Sequence, residues 1–406
     1  MITLENIQDA AKIIRDTVIR TPLVHSPTFS RMFGGSVYLK LENLQKTGSF
    51  KIRGASHKLL RHQGDIPPGG VVAASAGNHA QGVALAAKQA GIPATIVMPE
   101  WASISKQEAT RSYGGEVRLA GQNLAETLDT AKSLAQEGKT FVHPFDDADI
   151  IAGQGTIAQE IFEDLIDTDM ILVPIGGGGL ISGVAAAAKT IRPNVRVIGV
   201  EAAVCPSAFE SLREGEAIKV ASELSIADGI TVRQVGELNF EMIRKYVDEV
   251  VLVEEEHIAA AILMLLERKK TLAEGAGAVP LAALLNGAVK IPAGKKAVLL
   301  ISGGNLDSPL LGRIIGKGLV TNGRIMRVRV HLSDTPGSLS QLLSLVARLK
   351  ANVLHIYHDR HAKRIPINVS CVELELETRS DDHIEEICCE LRTGGYEIEQ
   401  NDPYVT

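Results

Sequence analysis

Short aliphatic runs alternate with longer helix-like segments over most of this chain, and that alternation limits the fold more than any other feature. The strand candidates include residues 37–41, 71–74, 94–98, 117–120, 171–174, 195–200 and 297–302. They are short, apolar and rich in Val and Ile. Between them lie Ala-, Leu- and Lys-rich segments such as 81–90, 124–136 and 258–269. Apolar strands without an alternating polar side are buried on both faces, and strands separated by helices run parallel. The pattern predicts βαβ units, an α/β architecture of parallel sheets with helices on both faces.

The pattern changes near residue 320. Leu319-Val-Thr-Asn-Gly-Arg324 is rich in turn residues, and Met326-Arg-Val-Arg-Val-His-Leu332 alternates apolar with charged or polar side chains. Such alternation marks a one-sided strand in an antiparallel sheet. A helix at 338–349, strands at 352–358 and 368–376, a helix at 383–391 and a strand at 396–399 follow. This βαββαβ order predicts a ferredoxin-like α+β unit of about 80 residues. Two domains are expected, 1–320 and 325–406.

Composition excludes several classes. The net charge of −6 over 406 residues, with no basic arm, argues against nucleic acid. The N-terminus carries acidic residues and no apolar core, so a secretory signal is not expected. No charged residue occurs from Met170 to Ala188, close to the ~20 residues a bilayer span needs. Pro174 and Gly176 to Gly179 interrupt that stretch, so a buried strand, a turn and a helix are expected instead. Cys205, Cys371, Cys388 and Cys389 have no zinc-like spacing and read as free thiols of a cytoplasmic protein.

Four segments carry candidate chemistry. In Gln45-Lys-Thr-Gly-Ser-Phe-Lys-Ile-Arg-Gly54, Lys51 falls in the first turn of a helix that begins near Ser49. It reads either as a solvated lysine, disfavoured by the helix dipole, or as an amine for Schiff-base chemistry. Ala73-Ala-Ser-Ala-Gly-Asn-His-Ala-Gln-Gly82 joins a strand to a helix. Its free N–H groups and the side chains of Ser75 and Asn78 suit a carboxylate or phosphate, although Asn78 as a plain helix cap explains it equally well. Gly176, Gly177, Gly178 and Gly179 lie between a strand and a helix, where the backbone can approach a phosphate closely. Neither Gly-x-Gly-x-x-Gly nor Gly-x-x-x-x-Gly-Lys-Ser/Thr can be read there, so a dinucleotide or triphosphate is not expected. Leu299-Leu-Ile-Ser-Gly-Gly-Asn305 is a fourth strand end turning into glycines. Ser302 there reads either as a plain turn residue or, with Glu274 in Ala273-Glu-Gly-Ala-Gly-Ala278, as a group that faces a cofactor.

Together with Ala152-Gly-Gln-Gly-Thr156, these motifs resemble the threonine and serine dehydratases of the tryptophan-synthase-β-like group of pyridoxal-phosphate enzymes. The resemblance covers about residues 5–320. It implies two open parallel-sheet subdomains and pyridoxal 5′-phosphate as cofactor. It implies that Lys51 holds the cofactor aldehyde and Phe50 packs on its ring. Asn78 would bond the ring hydroxyl, Gly176 to Gly179 would hold the phosphate, and Ser302 would face the pyridine nitrogen with Glu274 nearby. Ser75, Ala76, Gly77, Asn78 and His79 would take the substrate carboxylate. Lys51 and Ser302 would be the catalytic pair in the conversion of L-threonine to 2-oxobutanoate and ammonia, with L-serine as the weaker substrate. Serine racemases of this group carry a serine where this chain has Ala76, which disfavours racemisation. They bind a divalent cation through two acids, matched here by Glu201 and, at the second position, by Ser207. A divalent site is therefore in doubt, and a monovalent ion is left open.

The C-terminal unit resembles an ACT domain, an amino-acid-binding regulatory module, on the motif Asp334-Thr-Pro-Gly-Ser-Leu339. Asp334, Pro336, Gly337 and Ser338 are its candidate effector residues, with a purely dimerising module as the alternative. A homo-oligomer is expected, dimeric or tetrameric. A dehydratase for another hydroxy amino acid, or a racemase with eliminase activity, is the competing enzyme. A non-catalytic sensor on the same scaffold is disfavoured by Lys51, Asn78, the glycine loop and Ser302. Whether the role is isoleucine synthesis or threonine breakdown stays open.

Overall fold

The computed structural model describes residues 2–360 and 366–400. Its chain divides into two compact units, Met1–Asp307 and Ser308–Thr406. The strands in chain order are β1 (Leu23–His25), β2 (Ser36–Leu41), β3 (Val71–Ala74), β4 (Ala94–Met98), β5 (Glu116–Leu119), β6 (Thr140–Phe141), β7 (Met170–Pro174), β8 (Arg196–Ala202), β9 (Glu249–Val253), β10 (Lys296–Ile301), β11 (Ile325–Ser333), β12 (Asn352–Asp359), β13 (Val369–Glu377) and β14 (Glu397–Gln400).

The larger unit holds two sheets. One runs β1-β2-β10-β7-β8-β9 and the other β5-β4-β3-β6. The four-stranded sheet is parallel throughout. The six-stranded sheet is parallel except that β1 pairs antiparallel with β2, so it is mixed rather than purely parallel. The chain turns back between these two strands through the short helix Pro27–Phe33, so the edge strand runs opposite to its neighbour. β1, β6 and β9 add to the strands read above. β1 and β6, of three and two residues, are too short to show a period.

Every residue of β3, β4 and β7 is buried, as expected of strands covered on both faces. Ile171, Val173, Val184, Val298 and Leu300 form one core. Ile52, Leu59, Val71, Val83, Ile96 and Met98 form a second. The uncharged stretch from Met170 is β7, a glycine turn and the helix Gly179–Ile191. Among the described residues no helix is long and apolar enough to cross a membrane.

Three of the four chemistry-bearing segments follow the carboxyl ends of parallel strands: 75–77 after β3, 175–178 after β7 and 302–304 after β10. Ligands of open α/β sheets bind at that edge, because the loops converge there and the following helices present their N-termini.

The smaller unit begins with the helix Ser308–Thr321. That helix runs through Leu319 to Thr321, half of the segment expected to be a turn-rich junction. The turn proper is completed by Gly323, with φ of 63°. Strand order is β12-β13-β11-β14, all antiparallel, with helices Ser338–Arg348 and Asp381–Thr393 between strands. This is the ferredoxin-like βαββαβ arrangement. In β11, Met326, Val328, Val330 and Leu332 enter the core while Arg327 and Arg329 face outward. There they meet Glu375 and Glu373 across the strand at 3.1 and 3.2 Å. The expected end of the domain, residues 401–406, lies outside the described residues.

Candidate active site

Lys51 opens the helix Lys51–Arg61. Its Nζ donates to the Pro144 carbonyl at 2.8 Å and stands 5.2 Å from the centre of the Phe50 ring. Burial pushes its pKa down to about 8, against the pull of Glu274. The positive end of its own helix acts in the same direction as burial. A substantial neutral fraction near pH 8 makes this amine both a nucleophile and a base.

Opposite it, Asn78 begins the helix Asn78–Ala90. Asn78 Nδ2 donates to Glu274 Oε1 at 2.7 Å, and its Oδ1 accepts from Asn305 Nδ2, also at 2.7 Å. The same Asn305 amide donates to the Thr47 carbonyl at 2.8 Å. One side chain thus ties together the segments around residues 47, 78 and 302. Gly48, at φ of 70°, is needed for this, since a Cβ there would fall 2.3 Å from Asn305 Oδ1. Glu274 is buried, and burial followed by the Asp228 carboxylate raises its pKa to about 7.

Gly176 to Gly179 lead into the helix Gly179–Ile191, whose first N–H groups have no partner within the helix. Gly178 has φ of 95°. A Cβ on Gly177 would lie 2.3 Å from the Phe145 ring, so only glycine lets that ring pack against the turn. Ser302 is 2% exposed, and its carbonyl accepts from the Phe50 N–H at 3.1 Å.

Phe50, Lys51, Asn78, Gly176 to Gly179, Glu274, Ser302 and Asn305 line one cavity of about 650 Å³, together with Ser75, Ala76, Gly77 and His79. Ser75 Oγ accepts from the Gly77 N–H at 3.1 Å. His79 is 4% exposed, and its Nε2 bonds the Val142 carbonyl at 3.0 Å. Burial and the charge of Lys51 push its pKa down to about 3, so it is neutral and donates to that carbonyl. It brings no positive charge to the cavity.

Further groups border or support the cavity. Asn305 was within reach of the sequence, in the Ser-Gly-Gly-Asn motif. Pro144, Phe145 and Asn239 carry no pattern. Lys106, on the rim, lies 3.4 Å from Asp228 and 3.7 Å from Asp307.

Glu201 is used structurally. Its carboxylate accepts from the N–H groups of Ala208 and Phe209, both at 2.8 Å, and from Ser207 Oγ at 3.3 Å, at the start of the helix Ser207–Glu214. Burial raises its pKa to about 7. Among the described residues no group of three His, Cys, Asp or Glu side chains is set to hold a metal ion. In the smaller unit, Gly337 at φ of 97° leads into the helix Ser338–Arg348. Asp334 is paired with Arg360 at 3.0 Å, and Ser338 Oγ lies 2.9 Å from Thr335 Oγ1. The N–H groups of Asp334, Thr335 and Ser338 already donate within the protein.

The family model described as "Pyridoxal-phosphate dependent enzyme" matches residues 14–303. The chain is 52% identical over 400 residues to the L-threonine ammonia-lyase of Thermotoga maritima, covering 98% of this chain and 99% of that one. It is 46% identical over 323 residues to a catabolic L-threonine dehydratase of Staphylococcus aureus, covering 79% and 93%. Among solved structures, maize serine racemase superposes with a TM-score of 0.74 at 37% identity, covering 79% of this chain and 98% of that one. The processed form of threonine deaminase isoform 2 from Solanum lycopersicum superposes at 0.73 and 36% identity, covering 77% and 87%.

Pyridoxal phosphate requires an amine for its aldehyde and N–H donors for its phosphate. The cavity meets both demands with its own residues: a lysine amine whose pKa burial lowers to about 8, and a side-chain-free turn opening a helix. With the family model matched over residues 14–303, and a buried lysine amine and a glycine turn lining one cavity, the chain belongs to the pyridoxal-phosphate-dependent enzyme family.

Proposed function

We propose that this chain is a pyridoxal-phosphate-dependent L-threonine ammonia-lyase, releasing 2-oxobutanoate and ammonia, with L-serine as a weaker substrate. The single observation that carries this reading is the match to the Thermotoga maritima L-threonine ammonia-lyase over 98% of the chain. When bound, pyridoxal phosphate supplies an electrophilic carbonyl for the substrate amine and a ring that accepts electrons from the substrate Cα. Lys51 would hold the cofactor at its aldehyde, and its free amine would take the substrate Cα proton at Nζ. The Gly176 to Gly179 turn holds the phosphate, and Asn78 and Phe50 orient the ring. Ser302 would offer the ring nitrogen a neutral hydroxyl, which would leave the ring less electron-withdrawing than a carboxylate partner and so favour loss of the β-hydroxyl over transamination. Ser75 to His79 take the substrate carboxylate through side-chain and backbone donors. Ala76 supplies no second acid or base, which disfavours racemisation.

The test is steady-state release of 2-oxo acid from L-threonine and L-serine by the purified protein. A higher kcat/KM for L-threonine is expected. A higher value for L-serine, or racemisation faster than elimination, refutes the assignment.

The reading extends to the smaller unit as an ACT-like module that binds an amino-acid effector near Asp334, Pro336, Gly337 and Ser338, in a cytoplasmic homo-oligomer. An effector that binds one arrangement of the protein better shifts the population toward it. Calorimetric titration with isoleucine and valine, on the full chain and on residues 1–321, checks this. Binding by the full chain that is lost on truncation is expected. Unchanged binding after truncation refutes it.

A further inference from the structure

We propose that Asn239 is a positioning residue for the cofactor phosphate: its amide holds the Gly177–Gly178 peptide so that the Gly178 N–H faces the cavity. This rests on the cofactor alone and not on the choice of substrate.

Asn239 lies in the first turn of the helix Glu237–Tyr246 and is fully buried, as are Met242 and Ile243 of the same helix. A buried amide is retained only where its hydrogens find acceptors. Both do. Nδ2 donates to the Gly177 carbonyl at 2.9 Å and to the Phe145 carbonyl at 3.1 Å. The Gly177 carbonyl also accepts from the Gly236 N–H at 3.1 Å. Neither Asn239 nor Gly236 lines the cavity, whereas Gly176 to Gly179 do.

In a trans peptide the carbonyl and the following N–H point in opposite directions. The Phe145 peptide shows the consequence. Its carbonyl faces Asn239, and the Asp146 N–H on the other side donates to His143 Nδ1 at 2.7 Å. The same geometry applied to Gly177 turns the Gly178 N–H away from Asn239, into the cavity. Flanked by glycines, this peptide has little intrinsic preference for one orientation. The Asn239 amide supplies the preference.

The clamp also joins two walls. Asp146 accepts from the Glu237 and Asn239 N–H groups at 3.1 and 3.2 Å, holding that helix start against segment 142–146. That segment carries the Pro144 carbonyl that receives Lys51. Ser182 Oγ donates to the Asn239 carbonyl at 3.4 Å, tying in the helix after the glycine turn.

Asn239→Asp keeps the shape but replaces both donors with a carboxylate facing two carbonyls, and Asn239→Ala removes the group. Both are measured for folding, for the dissociation constant of pyridoxal phosphate from cofactor-free protein, for the 31P resonance of bound cofactor, and for KM of the amino acid at saturating cofactor. Cofactor binding is expected to weaken about 10- to 100-fold. The 31P resonance is expected to move, with KM within about twofold of wild type. Folded variants with unchanged cofactor affinity and an unmoved 31P resonance overturn the proposal. If neither variant folds, hydrogen exchange over residues 173–180 of the cofactor-free wild type decides. Slow exchange relative to exposed loops is expected, and exchange as fast as theirs overturns the proposal.

Discussion

Replacing Arg53 with Met is expected to destabilise the larger unit by about 3–5 kcal/mol, the usual cost of removing one partner from a buried ion pair. Arg53 is fully buried two residues beyond Lys51, on the same helix. Its guanidinium grips Glu42 through Nε and Nη2, each at 2.8 Å, and Glu160 through Nη1 and Nη2 at 2.7 and 2.9 Å. Nη1 also donates to Thr156 Oγ1 at 3.1 Å. Met fills most of the volume but leaves Glu42, itself fully buried, with the Thr21 hydroxyl as its direct partner. Glu160 keeps Lys40.

Burial alone pushes the Glu42 carboxyl up. Arg53 foremost, with Lys40 and the Thr21 hydroxyl, more than offsets that and holds it below the usual range. In the wild type this contributes stability above the unfolded pKa, lost as pH falls through the folded value. Without Arg53 the burial effect dominates and the folded pKa rises. The penalty is then small in acid and grows as pH climbs past the unfolded value of about 4.3. The destabilisation should therefore be larger at pH 8 than at pH 5. Urea unfolding at both pH values measures it, with circular dichroism for the chain and the fluorescence of Trp101, its only tryptophan, for the larger unit. At about 2 °C per kcal/mol for a unit of this size, the thermal midpoint should fall by about 6–10 °C. Adding Glu42→Gln should restore part of the loss, because it removes the stranded charge. A loss below about 1 kcal/mol at pH 8, or one that grows toward acid, refutes the network's role.

Other outcomes follow from the cavity. Lys51→Ala should abolish both turnover and the cofactor's visible absorbance band, and threonine dehydration near the wild-type rate would sink the assigned role. The rate at which cofactor-free protein takes up pyridoxal phosphate should rise with pH through about 8, as the Lys51 amine loses its proton. Stopped-flow absorbance checks this, and a rate flat between about pH 7 and 9 contradicts the lowered pKa. Ser302→Asp should slow elimination and raise transamination or racemisation, because a carboxylate favours the protonated ring nitrogen and prolongs charge at Cα. Normal dehydration without side products refutes that reasoning.

Much of the fold was legible because its signals are local. β3 and β4 fall at the expected residues, and the helix Leu124–Gln136 begins and ends as read. A continuous apolar run, as in β3 and β4, or a period of two or 3.6 is written into consecutive residues and survives packing. The smaller unit was legible for the same reason, since β11 alternates along its whole length. The antiparallel β1 was not, because three residues, none of them buried, show no period. The junction at 319–324 was misread in part because Asn322-Gly323 signals a turn and hides the helix that runs into it.

The site divides along the same line. Motif chemistry identified Lys51, Asn78, the glycine turn and Ser302, and each lines the cavity. A glycine run or a lysine at a helix start limits backbone and reactivity wherever the chain goes. What the sequence by itself determined, then, was most of the elements and the candidate groups at their ends. Only the tertiary structure decided which carbonyl receives Lys51, which amide orients Asn78 and which clamps the turn. Those contacts join residues 93, 227 and 62 positions apart. Nothing local specifies a partner at such a distance. It is selected when burial strips water from both groups, so that each must find its hydrogen bonds within the protein.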